Sequence, residues 1–228
     1  MNGINLRRFE FDLDTTWSAF FTDADLNIYS RYGGRDRGEP DGRMNTASLS
    51  QTMREVLDVH RRRGRRAADV FQPVLEGSET TADIALLKKN HQGGCVHCHE
   101  VREFRLLESF HAGRFDRRRL FRYPLPENVG LVFDRDHGHR VGKVSRGSAA
   151  ERAGIVADDV VERVGNVPVH SESDVRWALD RATDGKPIRI GVRRGAGGSS
   201  GATGRPLTLT LRDRKSTRLN SSHQIISY

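Results

Sequence analysis

The chain has 228 residues, of which 38 are Lys or Arg and 30 are Asp or Glu, so its formal net charge is +8. Only 36% of the residues are hydrophobic, and no stretch approaches the ~20 consecutive apolar residues of a bilayer-spanning helix, so we predict no transmembrane segment. Both cysteines lie in one motif, which excludes the disulfide framework typical of small secreted folds. The length predicts one large or two small domains.

The first 35 residues predict three strands. Residues 9–14 alternate apolar and polar side chains, residues 17–21 form a more apolar run, and residues 28–32 alternate again before Gly33. The Asp-rich segment between the second and third strands supplies turn residues, so these two strands are predicted to form a β-hairpin.

A helix is predicted next. Ser48 is in position to cap it, and Gln51 lies at the capping-box position. The helical spacing gives it one apolar face, formed by Leu49, Met53, Val56 and Leu57.

An arginine run closes this helix and gives the chain its densest positive charge: Arg61, Arg62, Arg63, Arg65 and Arg66. No aromatic side chain interleaves with it to stack on bases, and no nucleic-acid-binding motif accompanies it. Cations are favourable near a helix C-terminus. We therefore interpret the run as a solvated helix end and predict no nucleic-acid partner.

The order of hairpin and helix in residues 1–64 resembles the second half of a thioredoxin-like domain. The resemblance rests on Phe20 and Phe21, the Asp-rich turn, and the strand that starts at Ile28 and stops at Gly33. It implies an N-terminally truncated domain whose redox Cys-x-x-Cys would lie upstream of this sequence. The chain departs from the family at Thr16, because thioredoxins carry a cis-proline just before the first hairpin strand.

Residues 65–123 are predicted to be a helical connector, with short helical pieces at 67–75 and 81–89. The connector contains Cys95-Val-His-Cys98-His99, the spacing used for covalent c-type haem. In this interpretation Cys95 and Cys98 bond the haem vinyl groups, and His99 ligates the iron. A helix at 100–111 would follow, and His111 is the candidate distal ligand, with His91 or no protein ligand as alternatives.

Three other interpretations of this motif remain open. The cysteines could form a redox-active disulfide, or they could be plain reduced thiols. They could also bind zinc with two nearby histidines, because zinc takes four ligands.

From residue 123 onward the pattern changes to short strands and turns. Residues 147–155 read Gly-Ser-Ala-Ala-Glu-Arg-Ala-Gly-Ile, and residues 158–169 read Asp-Asp-Val-Val-Glu-Arg-Val-Gly-Asn-Val-Pro-Val. Gly154 can end a short helix in a left-handed conformation, and Gly165 begins a tight turn. Ser173 is predicted to lead the next helix, and alternating strands follow at 188–193 and 207–211.

These stretches resemble the bacterial PDZ domains of high-temperature-requirement proteases and related exported proteins, over residues 124–212. One departure is Ala157, where the family usually has glycine. The resemblance implies capture of a peptide C-terminus as an added strand, with its carboxylate held by backbone N–H groups of a loop. It places the site residues on that loop and strand and on the helix opposite: Val129, Gly130, Leu131, Val132, Val175, Ala178 and Leu179.

The last residues, 213–228, resemble the translation of a short-read sequencing adapter and are expected to be an artefact tail. The predicted fold class is therefore α+β: a partial thioredoxin-like α/β domain followed by a PDZ β-barrel-like domain with two helices.

The sequence favours an exported, periplasmic peptide- or protein-binding protein with a redox or electron-transfer role at the Cys-x-x-Cys-His motif. One alternative is a fragment of a thiol–disulfide oxidoreductase. The other is a fragment of a high-temperature-requirement serine protease that lacks its catalytic domain, since no hydrolytic constellation precedes residue 124.

Overall fold

The computed structural model describes residues 1–35, 39, 41–62, 77–91, 93–117, 120, 122–182 and 186–194, and the backbone of a strand at 205–210. The predictions for residues 67–75, for Arg63, Arg65 and Arg66, and for the tail at 213–228 lie outside the described residues.

The N-terminal hairpin is confirmed. Strands β1 (Ser18–Thr22) and β2 (Ile28–Gly33) pair antiparallel. The turn between them is held by Asp23, whose carboxylate accepts the backbone N–H groups of Asp25 and Asn27 at 2.9 and 2.8 Å. The first predicted strand, at 9–14, is wrong. The rings of Phe9 and Phe11 in this segment pack edge-on against Phe20. No described strand pairs with the backbone of residues 9–14.

Helix α1 (Thr46–Arg62) begins two residues before the predicted Ser48 cap. The carboxamide of Asn45 accepts the N–H of Ser48 at 2.7 Å, and the Ser48 hydroxyl is buried against that of Tyr32. The predicted apolar face is also wrong at Met53 and Leu57, which are 52% and 45% exposed. The buried face consists of Ser48, Thr52, Val56 and Val59.

The middle of the chain is helical, as predicted. A 3₁₀ turn (Thr81–Asp83) leads into α2 (Ala85–Asn90), and α3 (Cys98–His111) follows. A small core joins this region to the N-terminal residues: Leu6, Ile84, Leu87, Val96 and Val101.

The C-terminal part is built from six strands and two helices. Its elements are β3 (Leu131–Phe133), β4 (Val141–Val144), α4 (Ala149–Arg152), β5 (Val160–Val164), β6 (Val167–Pro168), α5 (Glu172–Arg181), β7 (Pro187–Arg193) and β8 (Arg205–Thr210). Strands β3 and β4 pair with each other, and the other four form a sheet in the order β6-β5-β7-β8. As predicted, Gly154 (φ 82°) follows α4 and Gly165 (φ 57°) makes the β5–β6 turn.

This C-terminal part has its own apolar core, which takes side chains from both sheets and from α5. The protein is thus a mixed helix-and-strand structure. In the part of the chain that the structure describes, no helix combines the length and apolar character needed to cross a membrane.

Candidate functional site

The loop before β3 depends on Gly130. The 3₁₀ turn Pro126–Val129 ends there, and Gly130 has a φ of 91°, in the left-handed region that favours glycine. A Cβ built at this position would lie 2.1 Å from both Cβ and Oγ of Ser148. Only glycine therefore fits between the turn and the start of α4.

Strand β3 has one unpaired edge. The backbone carbonyl of Gly130 accepts the N–H of Ser145 at 2.9 Å, and the backbone N–H of Asp134 donates to the carbonyl of Arg140 at 2.8 Å. The backbone groups of the even-numbered residues therefore point toward β4. In an antiparallel pair the bonding residues alternate, so the backbone groups of Leu131 and Phe133 lie on the opposite edge. No described strand pairs with β3 on that edge. An extended peptide could add there as a further strand.

Helix α5 packs on the same core as β3. Its N-cap is Ser171, whose hydroxyl accepts the N–H of Asp174 at 3.3 Å, so the predicted lead residue Ser173 lies inside the helix. The side chains of Val175, Ala178 and Leu179 belong to the same core as those of Val129 and Leu131. The predicted apolar face of this helix is thus present, and it is buried.

The other side of α5 is covered by the N-terminal hairpin. Asp174, which is 1% exposed, accepts the hydroxyl of Ser30 at 2.6 Å and the backbone N–H of Arg31 at 2.9 Å. The hydroxyls of Ser171 and Ser173 donate to the carbonyls of Arg31 and Gly33. The helix thus binds the outer edge of β2 through side chains, much as a neighbouring strand would through its backbone.

Charged side chains complete this contact. The guanidinium groups of Arg31 and Arg181 lie 4.3 and 4.4 Å from the ring of the buried Trp177, close enough for cation–π attraction. Arg176, which directly precedes Trp177, forms an ion pair with Asp12 at 2.6 Å and donates to the carbonyl of Tyr123. Helix α5 is consequently buried around most of its circumference.

Comparison with known proteins assigns the C-terminal part. The family model for the PDZ domain matches residues 140–194, from the end of the β3–β4 loop through β7. Residues 140–194 are therefore a PDZ domain. A search of curated proteins found no relative of the chain.

The seven residues predicted to contact a peptide lie within the PDZ domain and in the segment just before it, and most of them are buried. Val132 is half-buried, and Gly130 is buried in the loop. The remaining five have at most 4% of their surface exposed: Val129, Leu131, Val175, Ala178 and Leu179. Their role in binding stays a prediction.

The Cys-x-x-Cys-His motif lies at the start of α3. Cys95 is exposed, Cys98 is half-exposed, and both are free thiols. Burial raises the pKa of the Cys98 thiol, which disfavours its reactive thiolate form. His99 is exposed, and its ring stacks on that of His97 at 5.6 Å.

The two histidines of the predicted haem site lie at opposite ends of one helix. His99 and His111 are separated by twelve residues of α3, a distance of about 18 Å at 1.5 Å per residue. The structure therefore does not bring His111 to the same iron as His99. His91 lies nearer, with its Nδ1 atom 3.4 Å from a carboxylate oxygen of Glu100. Within the described ranges, no three His, Cys, Asp or Glu side chains form a group that could hold a metal ion.

Sequence reasoning missed the polar residues that join the N-terminal part to the PDZ domain. Two of the most buried are Asp174 and its partner Ser30, which is 144 residues away. Other unpredicted contact residues include Asp12, Arg31, Arg43, Asn45, Glu55, Glu127, Glu172 and Arg176. Only the acidic residues near the start of α5 carry a local signal, because carboxylates favour helix N-termini.

Proposed function

We propose that this protein binds the C-termini of peptides or proteins by adding them as a strand to β3 of its PDZ domain. The observation that carries the proposal is the unpaired edge of β3, directly after the left-handed Gly130. The backbone groups of Leu131 and Phe133 would pair with the peptide, and N–H groups of the preceding loop would hold its carboxylate.

The side chains around this edge favour an apolar C-terminal residue. Val129, Leu131 and Leu179 are apolar and share one core, so a terminal side chain inserted between them would be removed from water. No hydrolytic group is part of this proposal, and the protein acts as a binding module.

A peptide-binding experiment tests this function on the full chain. We expect heptapeptides that end in Val, Ile, Leu or Phe with a free carboxylate to bind, and the same peptides with a C-terminal amide to bind at least tenfold more weakly. The amide lacks the charge that strengthens hydrogen bonds to backbone N–H groups. Fluorescence anisotropy measures both affinities. Equal affinity for the two forms would contradict carboxylate capture.

We propose a second, redox function for the connector, in which Cys95 and Cys98 attach a haem c and His99 ligates its iron. The accessibility of the motif supports it: Cys95 and His99 are exposed and Cys98 is half-exposed, so the attachment groups can be reached. Bound haem would supply one-electron transfer. Covalent attachment would require export to a compartment that contains the attachment machinery, and the proposal includes a periplasmic location.

The hairpin followed by α1 supports a thioredoxin-like origin for residues 1–64.

Co-expression with a haem-attachment system tests the redox proposal. We expect a c-type absorption spectrum and a mass increase of one haem per chain, and we expect both to be lost in the Cys95→Ser/Cys98→Ser variant. A colourless product of unmodified mass would contradict haem attachment. In that case Cys95 and Cys98 would act as a thiol pair.

A further inference from the structure

The N-terminal part of the chain contacts the PDZ domain beside the proposed peptide site. The contacts beside this site come from the segment 43–55, called the strap here, which contains Arg43, Asn45 and the first ten residues of α1. The strap contacts the turn before β3 and the start of α5, which are called the two walls of the proposed peptide site here.

Arg43 bridges these two walls. One of its guanidinium nitrogens donates to Glu172, the first residue of α5, at 2.9 Å, and another pairs with Glu127, in the turn just before Gly130. All three side chains are at most 22% exposed. A planar guanidinium presents its N–H donors in a fixed fork, so it can hold two carboxylates in a set geometry, whereas the donors of an ammonium group rotate freely. The bridge therefore fixes the turn before β3 against the start of the helix opposite.

The rest of the strap extends this contact past the end of β3. The carboxamide of Asn45 donates to the carbonyl of Arg135 at 3.1 Å and to the carboxylate of Asp136 at 2.9 Å. On α1, the hydroxyl of Thr52 donates to the carbonyl of His170 at 3.0 Å, immediately before α5.

Glu55 adds a charged contact one turn further along α1. Its carboxylate lies 3.3 Å from Nε2 of His139 and 3.5 Å from Nδ1 of His170. Burial alone would raise the pKa of Glu55, but the hydrogen bond to His170 and the charge of His139 outweigh it and hold that pKa below its usual value. The carboxylate therefore stays ionised in this contact.

Little room for a peptide remains while these contacts hold. An added strand lies about 4.8 Å from its neighbour, yet Leu131 is fully buried and Phe133 is 6% exposed. On the other wall, Leu179 is 2% exposed. The two walls thus pack on each other in one apolar core in the state that the structure shows.

We propose that the strap is an intramolecular cover of the peptide site, held closed by the Arg43 bridge, and that peptides bind only to the form in which this bridge is open. The inference rests on the proposed peptide-binding function and adds its regulation. The apparent affinity of such a site falls in proportion to the fraction of molecules that are open. A partner that binds the strap more tightly in the open form would therefore strengthen peptide binding.

Substitution of Arg43 in the full chain tests the cover. We expect Arg43→Ala to bind a heptapeptide ending in Val with a free carboxylate about tenfold more tightly than the unsubstituted protein, because the closed form loses its bridge. Arg43→Lys should give a smaller gain in peptide affinity, since lysine keeps the positive charge but lacks the planar set of N–H donors. Arg54→Ala is the matched control, because Arg54 is an exposed α1 residue and its loss changes the net charge equally.

Hydrogen exchange provides a second measurement that needs no peptide. In Arg43→Ala, the backbone N–H groups of residues 131–133 should exchange faster than in Arg54→Ala. Equal peptide affinities and equal exchange rates in the two variants would overturn the cover and leave the peptide-binding function standing. If no variant binds either form of the peptide while circular dichroism shows all of them folded, the peptide-binding function fails, and the cover fails with it. If Arg43→Ala does not fold, Arg43→Lys carries the same test.

Discussion

Replacing Gly130 with alanine is expected to destabilise the PDZ domain by about 3 kcal/mol and to abolish peptide binding. The left-handed backbone at φ 91° costs a residue with a Cβ roughly 1–2 kcal/mol. The new methyl group would also lie 2.1 Å from the side chain of Ser148, and such overpacking adds about 1–3 kcal/mol. Urea denaturation measures the first effect, and fluorescence anisotropy with the Val-terminated peptide measures the second.

Two further variants separate the cost of the left-handed backbone from the cost of the clash with Ser148. Gly147 also has a positive φ, of 72°, but no atom lies within 4 Å of a Cβ built there. Gly147→Ala should therefore show the backbone cost alone, roughly 1–2 kcal/mol. Adding Ser148→Gly to Gly130→Ala removes the clashing atoms, so the double variant should be more stable than the sum of the single changes predicts. Strict additivity would show that Ser148 does not restrict position 130.

Replacing Asp174 with alanine is expected to cost about 4 kcal/mol and to lower the melting temperature by roughly 10 °C. The carboxylate is almost fully buried and accepts the Ser30 hydroxyl and the backbone N–H groups of Arg31 and His170, at 2.6, 2.9 and 3.1 Å. Alanine would leave these donors without an acceptor between β2 and α5. Calorimetry measures the shift, and an unchanged melting temperature would show that Asp174 does not hold the hairpin to the PDZ domain.

The Asp174→Asn variant should lose about half as much stability at pH 7, because the amide keeps one acceptor oxygen and avoids burial of a charge. Burial raises the pKa of Asp174 even though the charge of Arg31 opposes it. The folded protein therefore takes up this proton before the unfolded chain does, and the contribution of Asp174 grows as the pH falls from 7 toward 4. The stability that Asp174→Asn loses relative to the unsubstituted protein should therefore grow over the same pH range. Asp58→Ala, at a 63% exposed position on α1, is the matched surface control.

The PDZ domain was predictable because its signals are local. Glycines at 154 and 165 lie where the chain needs a left-handed residue, and the intervening strands and helices are short and separated by clear turns. The start of α5 was placed two residues late, at Ser173. Two serines flank Glu172, and either hydroxyl satisfies the local capping rule.

The buried face of α1 could not be predicted from its sequence. Apolar periodicity pointed to Met53 and Leu57, yet Thr52 is buried in their place. Its hydroxyl reaches the carbonyl of His170, 118 residues away, and a buried polar group with such a partner is no longer costly. The Arg43 bridge was missed for the same reason, since its carboxylates are 84 and 129 residues distant.

Nuclear magnetic resonance of the isotopically labelled full chain tests the peptide-binding site most directly. On titration with the Val-terminated peptide, the largest shifts should fall on the backbone N–H groups of residues 130–133 and on Leu179 of α5. The amidated peptide should produce much smaller shifts at the same concentration. Saturable binding that leaves residues 130–133 unperturbed would contradict strand addition at β3.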